Sequence, residues 1–304
     1  MSATQALESQ KIDINTLIAN AQLPALPQTA ITLLELSQDP NNGPAEFARP
    51  IEADAGLMGQ ILRFVNSSYF GFSREISSIR QALALVGVRT IKNFALWSAV
   101  FSLVPDPKFG TFNLKKLWQD SLRRAIFARV LGKSIKLPNA EDLFAAALLQ
   151  DMAIPLLLVE LPEQYEKLIS QQCDKSKQIR LSTLERELFG WDHAEVAGAL
   201  ARNWRLPEEF ATLIERHPKF HLLMEATPPQ RDAACVAIAS LLPSCQDQVW
   251  DERDEFHACL ETLSKDAVAN IQSLMRESDV SFEEFAPVMR VGVPSVSLVQ
   301  WLNS

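Results

Sequence analysis

The run Ala145-Ala-Ala-Leu-Leu-Gln-Asp-Met-Ala-Ile-Pro-Leu-Leu-Leu158 decides how the rest of the chain must fold. It is apolar except for one carboxylate, Asp151, and the amide of Gln150 beside it. Burying a carboxylate costs free energy unless it has a partner or a ligand. The Leu and Ala residues on both sides predict two tightly packed helices that meet at the Gln150-Asp151 corner. In the simplest interpretation Asp151 caps the second helix, and Pro155 lies in its first turn, where its missing N–H does no harm.

Composition favours a helical protein with a substantial core. The chain has 304 residues, of which 47% are hydrophobic and 22% charged, which is typical of a folded protein. Only 10 glycines and 2 tyrosines occur beside many Leu and Ala residues, and this balance favours helix. The net charge of −8 argues against a general binder of nucleic acid or of anionic membranes.

The sequence also predicts a cytoplasmic location. The four cysteines, Cys173, Cys235, Cys245 and Cys259, are scattered without a C-x-x-C pair, so reduced thiols are expected. The first ten residues lack the basic and apolar regions of a signal peptide. No window offers the roughly 20 uninterrupted apolar residues that a membrane span needs.

Caps and apolar stripes predict a series of helices and no strand. Asp13, Asp54 and Asn113 each precede an apolar-periodic segment and are predicted helix caps. The wide apolar face of residues 88–103 predicts one long helix there. Ser182-Thr-Leu-Glu185 has the spacing of a capping box. The predicted fold class is therefore all-α.

Prolines and a change of pattern divide the chain. Val104-Pro-Asp-Pro107 is the best internal boundary, so we predict an N-terminal helical subdomain over 1–107, with its core starting at about residue 20. A second helical subdomain is predicted over 108–222, and a C-terminal extension over 223–304. From Val249 onward, apolar residues recur at spacings of three and four from Phe256 to Leu274. This pattern predicts a docking or self-association helix, for which packing on its own domain is the common outcome.

No familiar catalytic motif is present. The sequence contains no Gly-rich phosphate loop, no G-x-S-x-G and no H-E-x-x-H. A lone histidine at a helix start, as His193 is, more often forms a cap or a hydrogen bond than a metal ligand. His217, before Pro218, is suited to closing a helix, where an imidazolium faces the negative end of the dipole.

An ordered series of short motifs gives the chain a family resemblance. The motifs are Leu23-Pro-Ala-Leu-Pro27, Ile51-Glu-Ala-Asp54, Leu62-Arg-Phe-Val-Asn-Ser67, Ser77-Ser-Ile79, Ala82-Leu-Ala-Leu-Val-Gly87, Leu117-Trp-Gln-Asp-Ser-Leu122, Ala147-Leu-Leu-Gln-Asp151, Asp192-His-Ala-Glu-Val196, Trp204-Arg-Leu-Pro-Glu208 and Arg216-His-Pro218. In this order they resemble the HDOD domain, the HD-related output domain of bacterial signalling proteins. The resemblance covers roughly residues 20–220.

The resemblance implies a multi-helical fold related to HD-type metal phosphohydrolases. Those enzymes hold metal ions with an early histidine, a His-Asp doublet and a later aspartate, and the ions activate water against a phosphoester. In this chain the early histidine falls at Asp120, the doublet at Gln150-Asp151 and the late aspartate at Ser240. Gln is a poor replacement for imidazole, and serine supplies no charge. Asp120, Gln150, Asp151, His193 and His217 are the candidates for a residual pocket.

Two functions follow from this comparison. The first is a non-catalytic signal-transduction domain with a degenerate metal site, no bound metal and no cofactor. It would act through a signalling protein partner or a small ligand, with the helices between Leu23 and Leu103 as the preferred partner surface. The alternative is a residual metal-dependent phosphohydrolase acting on a nucleotide or a cyclic dinucleotide, with Asp151 and His193 as its main support. A nucleic-acid regulator is disfavoured by the net negative charge of the chain. The sequence leaves the oligomeric state open.

Overall fold

The predicted apolar stripes fold into α-helices, and the all-α class is confirmed. The structure is a computed structural model that describes residues 12–21, 25–108, 110, 112–172 and 179–304. Helices make up the regular structure of these residues, and no strand occurs among them. Leu23 and Pro24 of the first motif and Cys173 lie outside the described residues.

Nineteen α-helices succeed one another through the described residues. The first six are α1 Ile14–Asn20, α2 Gln28–Leu36, α3 Pro44–Ala53, α4 Ala55–Val65, α5 Ile79–Val86 and α6 Val88–Leu103, with a 3-10 helix Ser68–Phe70 after α4. The middle of the chain forms α7 Leu114–Ser134, α8 Ala140–Leu149, α9 Ala153–Glu160, α10 Pro162–Gln172, α11 Leu181–Phe189, α12 His193–Asn203 and α13 Glu208–Glu215. The last six are α14 Phe220–Glu225, α15 Arg231–Ala239, α16 Arg253–Leu263, α17 Lys265–Ala269, α18 Ile271–Met289 and α19 Leu298–Asn303.

Most predicted helix starts are confirmed by side-chain caps. Asp13, Asp54 and Asn113 each accept a hydrogen bond from the backbone N–H three residues on, which satisfies one of the orphan donors at a helix start. The capping box predicted at Ser182-Glu185 is wrong. Helix α11 starts one residue earlier, so both residues lie inside it, and Glu185 is buried and bonds His193 instead.

The organising stretch folds as predicted into two apolar helices, α8 and α9, with Gln150 and Asp151 at the corner between them. Ala140–Glu160 is long and apolar enough to span a membrane by composition, but 89% of that window is buried inside the protein, as expected for core helices. Asp151 does not cap α9. Met152 is the N-cap and makes no side-chain bond, and the Asp151 carboxylate instead faces Arg124.

The C-terminal extension packs on its own chain, but not as one helix. The apolar series from Phe256 to Leu274 is divided among α16, α17 and α18 by breaks at Ser264 and Asn270. Helix α18 lies on α7 and carries Phe285 into the core. The Phe285 ring contacts aromatic rings on both sides of the predicted boundary near residue 107, namely Phe64, Tyr69, Trp97 and Phe144. The subdomain division itself stays a prediction.

Candidate functional site

Asp151 is held by an ion pair with Arg124. Arg124 lies in α7, and its Nη1 is 2.5 Å from Asp151 Oδ2. Both side chains are largely shielded from water, with 18% of Arg124 and 4% of Asp151 exposed. Burial alone would raise the pKa of Asp151, but the Arg124 guanidinium and the neighbouring imidazoles outweigh it and hold that pKa well below its usual range. Asp151 is therefore a carboxylate in the folded protein.

His193 lies between two carboxylates at the start of α12. Its Nδ1 is 2.6 Å from Glu185 Oε2, and its Nε2 is 3.4 Å from Asp151 Oδ1. Glu185 also accepts from the His193 backbone N–H and from the Tyr165 hydroxyl, at 2.8 and 2.7 Å. Because a carboxylate only accepts hydrogen bonds, Nδ1–H donates to Glu185, and a proton on Nε2, which faces the Asp151 carboxylate, makes His193 an imidazolium.

The electrostatics of His193 agree with this geometry. Burial lowers its pKa, but Glu185 and Asp151 overcome that effect and raise the pKa of His193 from 6.5 to about 10. The four charged groups then balance: Arg124 and His193 are cations, and Asp151 and Glu185 are anions. We call these four side chains the buried charge quartet. Its net charge is zero.

His217 follows α13 and faces the same carboxylate without carrying charge. Burial, the largest influence, lowers the pKa of His217 from 6.5 to about 4, so the ring is neutral near pH 7. Its Nδ1–H donates to the Ile214 carbonyl oxygen at 2.8 Å. The proton is therefore on Nδ1, and Nε2 presents a lone pair 3.7 Å from Asp151 Oδ1. The two imidazole rings lie 5.3 Å apart.

Gln150 occupies the doublet position whose histidine is missing. Its side chain is fully buried, and its Nε2 donates a long bond of 3.4 Å to Asp151 Oδ2. Its Oε1 is buried without a hydrogen-bond partner among the described residues. Gln150 thus lies in the cluster as a neutral neighbour of the Asp151 carboxylate.

Asp120 and Ser240, which the family resemblance also aligned with metal ligands, form their hydrogen bonds away from Asp151. Asp120 is buried in α7, but it accepts from the Ser244 hydroxyl and the Cys245 backbone N–H, both at 2.6 Å. Ser240 ends α15 and donates to the Ala237 carbonyl, while Arg180 donates to its hydroxyl. Asp120 therefore anchors the loop after α15, and the group that reaches Asp151 from α7 is Arg124, one turn further along.

These residues do not fit the metal centre that the family resemblance implies. Asp151, His193 and His217 bring three donor atoms within 4.8 Å of one another. However, Arg124 already bonds one Asp151 oxygen, and His193 has no lone pair while it is an imidazolium. A divalent ion would raise the net charge of the buried charge quartet from zero to +1, even after His193 gave up its proton to bind it. Burying an uncompensated charge is costly, so the arrangement favours a site complete without metal.

Three side chains of this site were not found by sequence reasoning: Arg124, Glu185 and Tyr165. The pair Arg123-Arg124, which interrupts the apolar residues of α7 between Leu122 and Ala125, could have indicated a buried cation, but it does not show which of the two reaches Asp151. Glu185 was assigned to a helix cap. Tyr165 carried no signal beyond being one of two tyrosines.

The fold and site define a helical HD-like domain with a buried cluster of charged side chains around Asp151. The chain belongs to the HDOD domain family, which it matches over residues 23–220. It is 26% identical over 200 residues to an uncharacterised Treponema pallidum protein, covering 64% of this chain and 37% of that protein. The chain spans less than half the length of the curated relatives it matches.

Solved structures share the fold. A Shewanella amazonensis protein, named for a proposed phosphohydrolase activity, is 20% identical with a TM-score of 0.66, covering 91% of this chain and 98% of that one. A Marinobacter aquaeolei protein, named for a proposed role in signal transduction, is 21% identical with a TM-score of 0.66, covering 91% and 61%. At these identities the likeness shows the fold alone.

Proposed function

We propose that this HDOD domain is a non-catalytic regulatory module of signal transduction. The observation that carries the proposal is the buried charge quartet, in which Arg124 supplies the positive charge that a metal ion supplies in an HD phosphohydrolase. The four charges cancel, and each partner is within 3.4 Å of its counterpart. Such a cluster can fix the relative positions of α7, α11, α12 and the α8–α9 corner without any metal.

The electrostatics also argue against a hydrolytic centre. Water activation by a metal requires open coordination positions and ligands with free lone pairs. Among the clustered Asp and His donors, only the His217 Nε2 and the Asp151 Oδ1 have that character, because Oδ2 is bonded by Arg124 and both nitrogens of His193 face carboxylates. The Gln150 Oε1, which has no hydrogen-bond partner in the described part of the chain, would add a neutral amide oxygen, a poor substitute for imidazole on a transition metal. Two donors are fewer than the three or more protein ligands of a typical catalytic site.

The module would act in the cytoplasm through a signalling protein partner, with a small ligand as the second option. Its net charge of −8 disfavours nucleic acid and anionic membrane surfaces. The helices between residues 25 and 103 are the proposed partner surface, because they are the family's distinctive part and lie apart from the buried charge quartet along the chain.

A metal-dependent phosphohydrolase is the second candidate. It is favoured by the three donor atoms of Asp151, His193 and His217, which lie within 4.8 Å of one another, and by the phosphohydrolase name of the Shewanella relative. Under this alternative, Arg124 would have to leave Asp151 and His193 would have to lose a proton. Its substrates would be nucleotides or cyclic dinucleotides.

The deciding experiment measures metal content by mass spectrometry after reloading the purified chain with manganese, iron or magnesium. Wild type is compared with Asp151→Ala, with Arg124→Met and with Arg80→Met, whose arginine forms an exposed ion pair elsewhere. We expect no metal dependent on Asp151 in wild type and no hydrolysis of phosphomonoesters, phosphodiesters or cyclic dinucleotides. Arg124→Met, unlike Arg80→Met, should gain affinity for manganese because a competing cation is gone. Stoichiometric metal that is lost in Asp151→Ala, accompanied by turnover, would establish the phosphohydrolase instead.

A further inference from the structure

A second cluster of metal-binding side chains lies away from Asp151, beyond the region matched by the family. It consists of His221 at the start of α14 and of Glu255 and Cys259 in α16. Their ligand atoms all lie within 4.8 Å of one another. His221 and Glu255 are exposed, whereas Cys259 is only 1% exposed. The cluster is therefore open to solvent on one side and rests on the core on the other.

The placement of the three residues is that of a chelating site. Glu255 and Cys259 are four residues apart in α16, so their side chains project from the same face of the helix. His221 comes from a different helix, 34 positions before Glu255 in the sequence, and lies beside the other two side chains in the fold. None of the three forms a hydrogen bond or an ion pair with another described residue; His221 only contacts the Phe220 ring. Their ligand atoms are thus uncommitted.

We propose that His221, Glu255 and Cys259 bind one zinc-type transition-metal ion that joins α14 to α16. Imidazole nitrogen, thiolate sulfur and carboxylate oxygen are all zinc ligands, and three of them with a water molecule complete a tetrahedral set. The thiol and imidazole select against magnesium and calcium, which prefer oxygen ligands.

The required movement is small. With metal–ligand bonds of about 2.0–2.3 Å, tetrahedral ligand atoms lie roughly 3.3–3.8 Å apart, so atoms within 4.8 Å must approach by about 1.5 Å or less. The exposed His221 and Glu255 side chains can make this movement by rotation about their own bonds, while the buried Cys259 stays in place.

The position gives the ion a structural consequence. His221 is one residue beyond the family match, which ends at residue 220. Helix α16 belongs to the C-terminal extension and packs mainly on α15 and α17. An ion held by both helices would therefore tie the end of the family domain to the extension, independently of the buried charge quartet and of the proposed regulatory function.

Cobalt(II) tests this proposal, because a thiolate ligand gives bound cobalt a charge-transfer absorption in the near ultraviolet. Metal-free full-length protein is titrated with Co²⁺ and then with Zn²⁺, and thermal unfolding is followed with and without Zn²⁺. We expect one Co²⁺ per chain with a thiolate signal that zinc displaces, and a melting temperature that rises with zinc concentration. Wild type that binds no Co²⁺, or binds it without a thiolate signal, overturns the proposal.

Matched variants locate the ion. Cys259→Ser should abolish the thiolate signal. His221→Ala and Glu255→Gln should each weaken Co²⁺ binding by about tenfold or more, because even the loss of a residue that only hydrogen-bonds a metal ligand typically lowers metal affinity by that factor. The two exposed substitutions leave the core intact, so they remain informative if Cys259→Ser folds poorly. Cys245→Ser and Asp151→Asn should bind as wild type does. A signal that persists in His221→Ala and disappears in Cys245→Ser would place the ion elsewhere and refute the assignment.

Discussion

Breaking the ion pair between Arg124 and Asp151 should destabilise the fold much more than breaking an exposed pair. Removing one partner of a buried ion pair commonly costs about 3–5 kcal/mol, because the other charge is left without compensation. Arg124 is 18% exposed, and His193 still faces Asp151 when Arg124 is gone. We therefore expect Arg124→Met to lower the free energy of unfolding by about 2–4 kcal/mol, and Asp151→Asn by a similar amount.

A double-mutant cycle isolates the pair from other effects of each substitution. The double variant Arg124→Met/Asp151→Asn should lose about 1.5–3 kcal/mol less than the sum of the two single losses, in the upper part of the roughly 0.5–3 kcal/mol range for residues in contact. Urea unfolding followed by circular dichroism supplies the four free energies. The control, Arg80→Met, breaks a pair that is 65% and 36% exposed and should change stability by less than about 1 kcal/mol. Additive losses, or single losses no larger than that of the control, would show that the buried charge quartet does not hold the helices together.

Two further predictions concern the histidines and a helix contact. By NMR, His193 should stay protonated and His217 neutral at pH 7. Because the pKa of His193 is raised from 6.5 to about 10, its stabilisation is complete below pH 6.5 and is lost as the pH rises toward 10. The pKa of His217 is lowered to about 4, so the stability that its neutral ring contributes is present above pH 6.5 and is lost as the pH falls toward 4. A neutral His193 or a protonated His217 at pH 7 would contradict these assignments. Gly198→Ala would place a Cβ 2.7 Å from Glu215 Cβ and should cost about 1–3 kcal/mol in urea unfolding. Gly59→Ala meets nothing closer than 3.6 Å and should raise stability by about 0.4–1 kcal/mol; equal effects of the two substitutions would refute the packing argument.

The helices were predictable because their signals are local. A cap and the apolar residues that follow it lie within a few positions of each other, so Asp54, Asn113 and the span of α6 could be identified from short windows. The same local reasoning failed at Ser182 and Glu185. A spacing of three fits a capping box, but it does not show whether the acidic side chain has a stronger partner in the fold.

The site was only partly predictable because its contacts join distant positions. Asp120 and Arg124 are one turn apart in α7, and only the packing of that helix decides which of them reaches Asp151. The contact between Glu185 and His193 depends on the turn at Gly190, whose φ of +84° lets α11 end and α12 fold back beside it. The family resemblance identified the Asp151 neighbourhood, but it could not identify Arg124 as the partner of Asp151.

Under the proposed function, the geometry of the site would let a fold built around a metal centre persist without the metal. An HD-type centre holds its helices together through one cation bound by ligands from several of them, and loss of that cation would leave Asp151 buried and unpaired. Arg124 supplies a cation covalently attached to α7, and His193 supplies a second one whose charge Glu185 balances. Because a guanidinium is charged at every accessible pH and needs no loading from solution, α7 stays bound to the α8–α9 corner at all metal concentrations. The Arg124 guanidinium also occupies Asp151 Oδ2, an oxygen that a catalytic ion would need. Holding the helices together in this way therefore works against hydrolytic chemistry.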